Sequence, residues 1–218
     1  MDKSQLAAAV FDKRATDYQQ KFMDVSHYSE SLNLFCASIS TNDAEILEIA
    51  CGPGNITAYL LNRRKDFNIL GLDLAPNMIK LARKNNSGAL FEQMDCRDIV
   101  QLNKKYDGIM CGFCLPYLSK EEAVQLIADT STLLKPGGIL YLSTMEADYQ
   151  QSGWQTNSLG DKIYMHYHQA DYLCTSLEKH QFSIINIERQ QLPVADLANS
   201  VDLIIIAQSK ELSSPQKT

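Results

Sequence analysis

The segment ILEIACGPGNIT, Ile46 to Thr57, passes from an apolar strand pattern into a turn holding Gly52, Pro53 and Gly54, then into a helical pattern. A turn of this kind suits a ligand held against the backbone. Glycine adopts positive φ without steric cost and lets a ligand approach without meeting a Cβ. In an open parallel sheet, ligands bind beyond the carboxyl ends of the strands, and the first strand-to-helix turn is the usual place. A dinucleotide fingerprint, G-x-G-x-x-G, would rest a pyrophosphate on the helix N-terminus. Here Ala50, Gly52 and Gly54 stand at alternate positions and no glycine follows three residues beyond Gly54, so that fingerprint is incomplete. No Gly-Lys-Ser/Thr follows either, which excludes a P-loop.

The other residue types able to do chemistry are more scattered. The chain has 6 cysteines, Cys36, Cys51, Cys96, Cys111, Cys114 and Cys174, mostly in apolar or strand-end contexts that suit reduced packing thiols. Cys111 and Cys114 form a C-x-x-C in CGFC, but at the end of a predicted strand rather than at a helix N-terminus, and no second pair completes a zinc site. In YMHYH, His166 and His168 alternate with Met165 and Tyr167, so on a strand they share one face with Tyr164. A metal site there would need a third ligand, and none can be named.

Positioning the glycine turn requires an alternating fold. After a helical arm from Lys3 to Ser40, short apolar runs alternate with amphipathic ones, the mark of βαβ units and a parallel sheet. Strands are predicted at Glu45 to Ala50, Asn68 to Asp73, Ala89 to Met94, Tyr106 to Gly112 and Gly138 to Thr144. Helical stretches lie near Asn55 to Arg64, Asn77 to Asn85, Ile99 to Asn103 and Lys120 to Leu134. Pro76 fits a first helical turn, Ser119 with Glu122 three residues on reads as a capping box, and KPGG closes the longest helix. The polar run from Met145 to Gly160 reads as a loop inserted at the sheet's ligand edge. KIYMHYH is then a strand, followed by a helix from Asp171 to Lys179, strands at Phe182 to Glu188 and Val201 to Gln208, and a loose tail. The expected organisation is one α/β domain over residues 1–210 with a helical arm at 1–40, an insertion at 145–162 and a tail at 211–218.

Composition narrows the partners. Hydrophobic residues at 45% and charged residues at 21% are globular values, and a net charge of −6 argues against a sequence-independent grip on nucleic acid. No stretch approaches the ~20 apolar residues of a membrane span, and the acidic start does not fit a secretory leader, so a cytoplasmic location is the default.

The motif LEIACGPGNIT closely resembles motif I of the class I S-adenosylmethionine-dependent methyltransferases. The resemblance continues in order through ILGLDLAPNMIKLAR, FEQMDCRDI, YDGIMCGFCLPYLS and LLKPGGILYLST, together about half of the chain. It implies a Rossmann-like, doubly wound seven-stranded sheet in the order 3-2-1-4-5-7-6, with the last strand antiparallel and helices on both faces. Ala50 departs from the pattern, since many relatives carry glycine there, and only a slightly altered turn is expected.

The family's roles fall on particular residues. Glu48 would face the ammonium of the cofactor's methionine part, with backbone groups of Ala50, Gly52 and Gly54 lining that part and the ribose. Asp73, about twenty residues past the turn, would accept both ribose hydroxyls. Leu74 and Met78 would pack on the adenine, and Asp95 would accept from its amino group, with the Cys96 amide at the ring edge. Asp98 would instead cap the following helix. Cys111, Gly112 and Phe113 would close the pocket near the transferable methyl.

Substrate choice lies outside these motifs. CGFCLPYL lacks the Asn/Asp/Ser-Pro-Pro-aromatic motif of amino-adenine methylation and the Pro-Cys nucleophile of cytosine methylation, which leaves a small-molecule acceptor as the better reading. The arm resembles lid helices in which an early tyrosine, here Tyr18, shields the sulfonium, while His166 and His168 are candidates to line the acceptor pocket as base or hydrogen-bonding pair. Relatives that methylate arsenic use several cysteines, which would require Cys36, Cys114 and Cys174 to converge. Two other functions stay open: a cofactor-binding protein without turnover, and a nucleotide-dependent oxidoreductase.

Overall fold

The computed structural model describes residues 2–156, 159–191 and 201–210. Three helices come first: α1 (Lys3–Lys13), α2 (Ala15–Phe22) and α3 (Ser29–Ser38). Five strands and three α-helices then follow: β1 (Glu45–Ile49), α4 (Asn55–Arg63), β2 (Asn68–Asp73), α5 (Pro76–Asn85), β3 (Leu90–Gln93), β4 (Tyr106–Cys111), α6 (Lys120–Leu133) and β5 (Leu134–Glu146). A hairpin of β6 (Gly153–Thr156) and β7 (Lys162–Met165) leads into α7 (Ala170–Lys179), β8 (Phe182–Gln190) and β9 (Val201–Ser209).

The main sheet has the order β3-β2-β1-β4-β5-β9-β8. The hairpin shifts the labels, so β8 and β9 are the sixth and seventh strands of that sheet and the order is the expected one. β9 runs antiparallel to both neighbours, and the other pairings are parallel. Because side chains alternate across a strand, each buried strand feeds two cores. Leu47, Ile49, Ile109, Leu140, Leu142, Leu203 and Ile205 meet α6 and α7 on one face. Ile46, Ile69, Met110, Ile139, Tyr141, Ile204 and Ile206 meet α3 and α4 on the other.

Several local expectations change. Ile99 to Asn103 is not an α-helix; a 3-10 helix, Cys96–Gln101, takes its place, and Asp95 rather than Asp98 caps it by accepting from the Arg97 amide at 3.0 Å. KPGG does not separate α6 from β5. Leu134 already pairs with Tyr106, and the register shift before Gly108 pairs with Ile139 absorbs Lys135 to Gly138, including a proline with no N–H to give and Gly137 at φ 77°. The polar insertion carries β6, which pairs with β7 apart from the main sheet. KIYMHYH is strand only through Met165, because the His166 amide turns to the Pro116 carbonyl at 2.8 Å and the His168 amide to Met145 at 3.1 Å. The expected tail, 211–218, lies outside the described residues.

Candidate functional site

The carboxyl ends of β1, β2, β3 and β4 face one cavity, about 800 Å³ with its open mouth included, roofed by α1 and α2. Its floor begins at the glycine turn. Ala50 (φ 56°), Gly52 (φ 53°) and Gly54 (φ 79°) all lie in the left-handed region. Ala50 therefore holds a conformation that glycine would take without strain. Gly54 is fixed by contact as well as by φ, since a Cβ there would stand 2.3 Å from Asn86 Nδ2. A Cβ on Gly52 would point at Tyr18, 3.8 Å from Cε1.

Asp73, at the end of β2, ties the turn to the next helix. Its Oδ2 accepts from the Gly52 amide at 2.9 Å and its Oδ1 from the Ala75 amide at 2.8 Å. Burial raises its pKa against the pull of these amides. Leu74, Met78, Asp95, Cys96, Gly112 and Phe113 also line the cavity, as does Tyr18, whose hydroxyl is pushed up to about 12 by burial and then by Asp73. Asp95 is already engaged: Arg97 meets it with Nε at 3.0 Å and Nη2 at 2.6 Å. Burial raises the Asp95 pKa, but these bonds outweigh it and the net shift is downward.

Other expected residues sit off the cavity wall. Glu48 is buried in β1, where Thr57 Oγ1 donates to Oε2 at 2.5 Å and Oε1 has no partner among the described residues. Burial pushes its pKa up to about 8. Gly54 and Cys111 do not line the cavity. Neither do His166 and His168. His168 is fully buried, with Nε2 2.8 Å from the Leu115 carbonyl oxygen and Nδ1 bonded to the Tyr172 hydroxyl, and burial lowers its pKa to about 4. His166 packs 4.7 Å from the Tyr164 ring and 6.0 Å from Tyr149. The pair supports Leu115 to Leu118 from behind, and Tyr117 and Leu118 of that segment form cavity wall.

Sequence reasoning expected the arm as a lid and named Tyr18, but not the α1 residues of the roof. Ser4, Ala7, Ala8 and Phe11 of α1 line the cavity, and the only signal for them is the small-residue run LAAAVF. Cys36, Cys114 and Cys174, whose convergence arsenic methylation would require, do not come together. Cys36 packs into one core and Cys174 against the other, whereas Cys96 and Cys114 meet in the cavity with sulfurs 3.6 Å apart. Bonding between these thiols and burial keep Cys96 well above its ordinary range, so it is a neutral thiol there.

Residues 46–138 match a family model described as a methyltransferase domain. The chain is 30% identical over 115 residues to putative methyltransferase 235L of Invertebrate iridescent virus 6, which covers 53% of this chain and 42% of that protein. It is 29% identical over 143 residues to malonyl-[acyl-carrier protein] O-methyltransferase 2 of Ilyobacter polytropus, covering 63% of this chain and 53% of that one. The chain thus spans about half the length of these curated relatives. The magnesium protoporphyrin IX methyltransferase of Synechocystis PCC 6803, solved with bound S-adenosylmethionine, has the same fold at TM-score 0.74 and 16% identity, over 96% of this chain and 98% of that one. The sheet order is the one the resemblance implies, the glycine turn is left-handed, and the segment that matches the methyltransferase-domain model, 46–138, contains that turn and β1 to β4.

Proposed function

We propose that this chain binds S-adenosylmethionine across the ends of β1 to β4 and transfers its methyl group to a small acceptor. The observation that carries the reading is the Asp73 carboxylate, which lines the cavity while two backbone amides fix it. Each of its oxygens keeps a second acceptor position, as a ribose diol requires. Leu74 and Met78 offer apolar surface for adenine, Asp95 and the Cys96 amide its polar edge, and Gly52 an open approach for the ribose and methionine part. The unpartnered Oε1 of Glu48 suits an ammonium, directly or through water. Phe113, held in the left-handed region at φ 52° with its amide on Ser143 Oγ at 2.9 Å, would close the methyl end with Gly112.

The cofactor supplies a sulfonium-bound methyl open to in-line displacement. The protein's part is to hold a nucleophile aligned about 3 Å away and to keep water out, and orientation of that kind is worth several kcal/mol of barrier. Tyr18 and Phe11, with rings 5.7 Å apart, supply an apolar cover for that purpose. Among the described residues the lining carries no basic side chain, and its two carboxylates, Asp73 and Asp95, are the ones assigned to the ribose and the adenine. With both histidines behind the wall, the reading needs no histidine base.

The test is calorimetric titration of S-adenosylmethionine and S-adenosylhomocysteine into wild type and Asp73→Ala, with NADH as control. Micromolar binding lost in the variant is expected. Binding of NADH in place of S-adenosylmethionine would return the oxidoreductase reading. Tight binding with no S-adenosylhomocysteine formed across a panel of amine, hydroxyl and thiol acceptors would favour a binding protein without turnover.

A further inference from the structure

Asp95 lines the cavity with its two oxygens unequally used. Oδ1 accepts from the Arg97 amide and from Arg97 Nε, both at 3.0 Å, while Oδ2 accepts from Arg97 Nη2 at 2.6 Å. A carboxylate offers roughly four acceptor positions. Arg97 alone has taken three of them, and the one left is on Oδ2. The guanidinium is itself fixed, because its Nη1 lies 2.9 Å from Asp2 Oδ2, ahead of α1, and 2.9 Å from Glu122 Oε1 on α6. Arg97 therefore cannot turn off Asp95 without breaking both outer pairs. Burial by itself would favour the protonated acid, and the Arg97 bonds reverse that. An ionised carboxylate accepts hydrogen bonds and donates none.

We propose that Arg97 is a specificity-determining residue: by filling three positions of Asp95 and fixing it as an acceptor, it makes the cavity take a 6-aminopurine and refuse a 6-oxopurine. The proposal rests on the cofactor reading, in which Asp95 meets the 6-position of the base. A 6-amino group brings an N–H to the free position on Oδ2. A 6-oxo group brings a carbonyl oxygen instead, so that two acceptors face each other and a charged group gives up water for no bond. Without Arg97, the acid form of Asp95 has an O–H to donate to that carbonyl, and the basis for refusal is gone.

The test compares S-adenosylhomocysteine with S-inosylhomocysteine, in which a 6-oxo group and a proton on N1 replace the 6-amino group. Both are titrated by calorimetry into the full chain, wild type and Arg97→Met, from about pH 5 to about pH 8. Methionine keeps an unbranched apolar stem and removes every guanidinium donor. The two ligands share their ribose and homocysteine parts, so the ratio of their Kd values within one protein cancels any loss of folded fraction and any titration of Asp73. The charged groups that face Asp95 are Arg97 on its own 3-10 helix and Asp2 ahead of α1; Glu122 reaches it only through Arg97, and Cys96 and Cys114 are neutral thiols.

Wild type is expected to prefer S-adenosylhomocysteine by at least about a hundredfold at every pH. In Arg97→Met the preference should fall below about tenfold at the acid end and recover as pH rises and Asp95 ionises. A wild-type preference in Arg97→Met at every pH overturns the proposal. So does a low preference that does not change with pH, which would mean only a displaced side chain. Equal binding of both ligands by the wild type overturns it too and leaves the cofactor reading standing, whereas a wild type that binds neither sinks that reading and the proposal with it.

Discussion

Gly54 and Glu48 show how single atoms constrain the turn. Replacing Gly54 with alanine puts a Cβ against Asn86 Nδ2, which itself donates to the Gly54 carbonyl at 2.9 Å, and against the α5 backbone at Ala82 Cα, 3.3 Å away. With φ at 79° as well, Gly54→Ala should cost about 2–3 kcal/mol, read from chemical denaturation. Unchanged stability would show that the turn relaxes freely. Glu48 gives a pH signature. Its pKa is raised to about 8 from an ordinary 4.5, so between those values the folded protein keeps a proton that the unfolded chain has released. Its contribution is therefore fully present below about 4.5 and is lost as pH rises through about 8. Glu48→Gln should flatten that decline, giving a variant whose advantage in thermal midpoint over wild type grows from pH 5 to pH 8. A variant with the wild-type slope would show that Glu48 is ionised in the fold.

At the scale of elements, helix starts do more than begin helices. Ser119 Oγ accepts from the Glu122 amide at 3.2 Å, and Glu122 Oε2 accepts from the Ser119 amide at 2.7 Å, closing the capping box of α6. The other oxygen of Glu122 then reaches Arg97. Ser119→Ala should lose about 1 kcal/mol, a fall of about 2–4 °C in thermal midpoint. A drop several times larger would mean that the cap also sustains the Arg97 cluster. The hairpin β6–β7 belongs to the same surroundings: Lys3 Nζ stands 3.3 Å from the Tyr164 ring centroid, so the insertion braces the roof.

For the whole molecule, ligand and fold are linked by mass action. S-adenosylhomocysteine at about a hundred times its Kd should add about 2.7 kcal/mol, or roughly 5–10 °C in thermal midpoint, because only the folded chain presents the cavity. NADH at the same concentration should leave the midpoint unchanged. The reverse pattern would overturn the proposed cofactor. Stability and binding are expected to move together, since the residues that shape the cavity are also the ends of the central strands.

The sequence by itself determined the succession of strands and helices of the main sheet, while the strand order was the one the resemblance implied. Alternating apolar runs, Pro76 at a helix start and the Ser119 capping box are local signals, and a parallel sheet buried on both faces leaves few ways to arrange them. It also marked the left-handed turn, because only small residues stand at Ala50, Gly52 and Gly54. Tertiary structure alone decided which distant side chains share a surface. The alternation in YMHYH placed His166 and His168 on one face with Tyr164, but could not show that this face turns toward Leu115 and Tyr172 rather than the cavity. Cys96 and Cys114 meet because β3 and β4 end at the same edge, and no spacing in the chain encodes that. The roof is the clearest case. Asp2, Arg97 and Glu122 form one cluster across more than half of the chain, held by pairings whose partners are chosen by packing rather than by sequence neighbourhood.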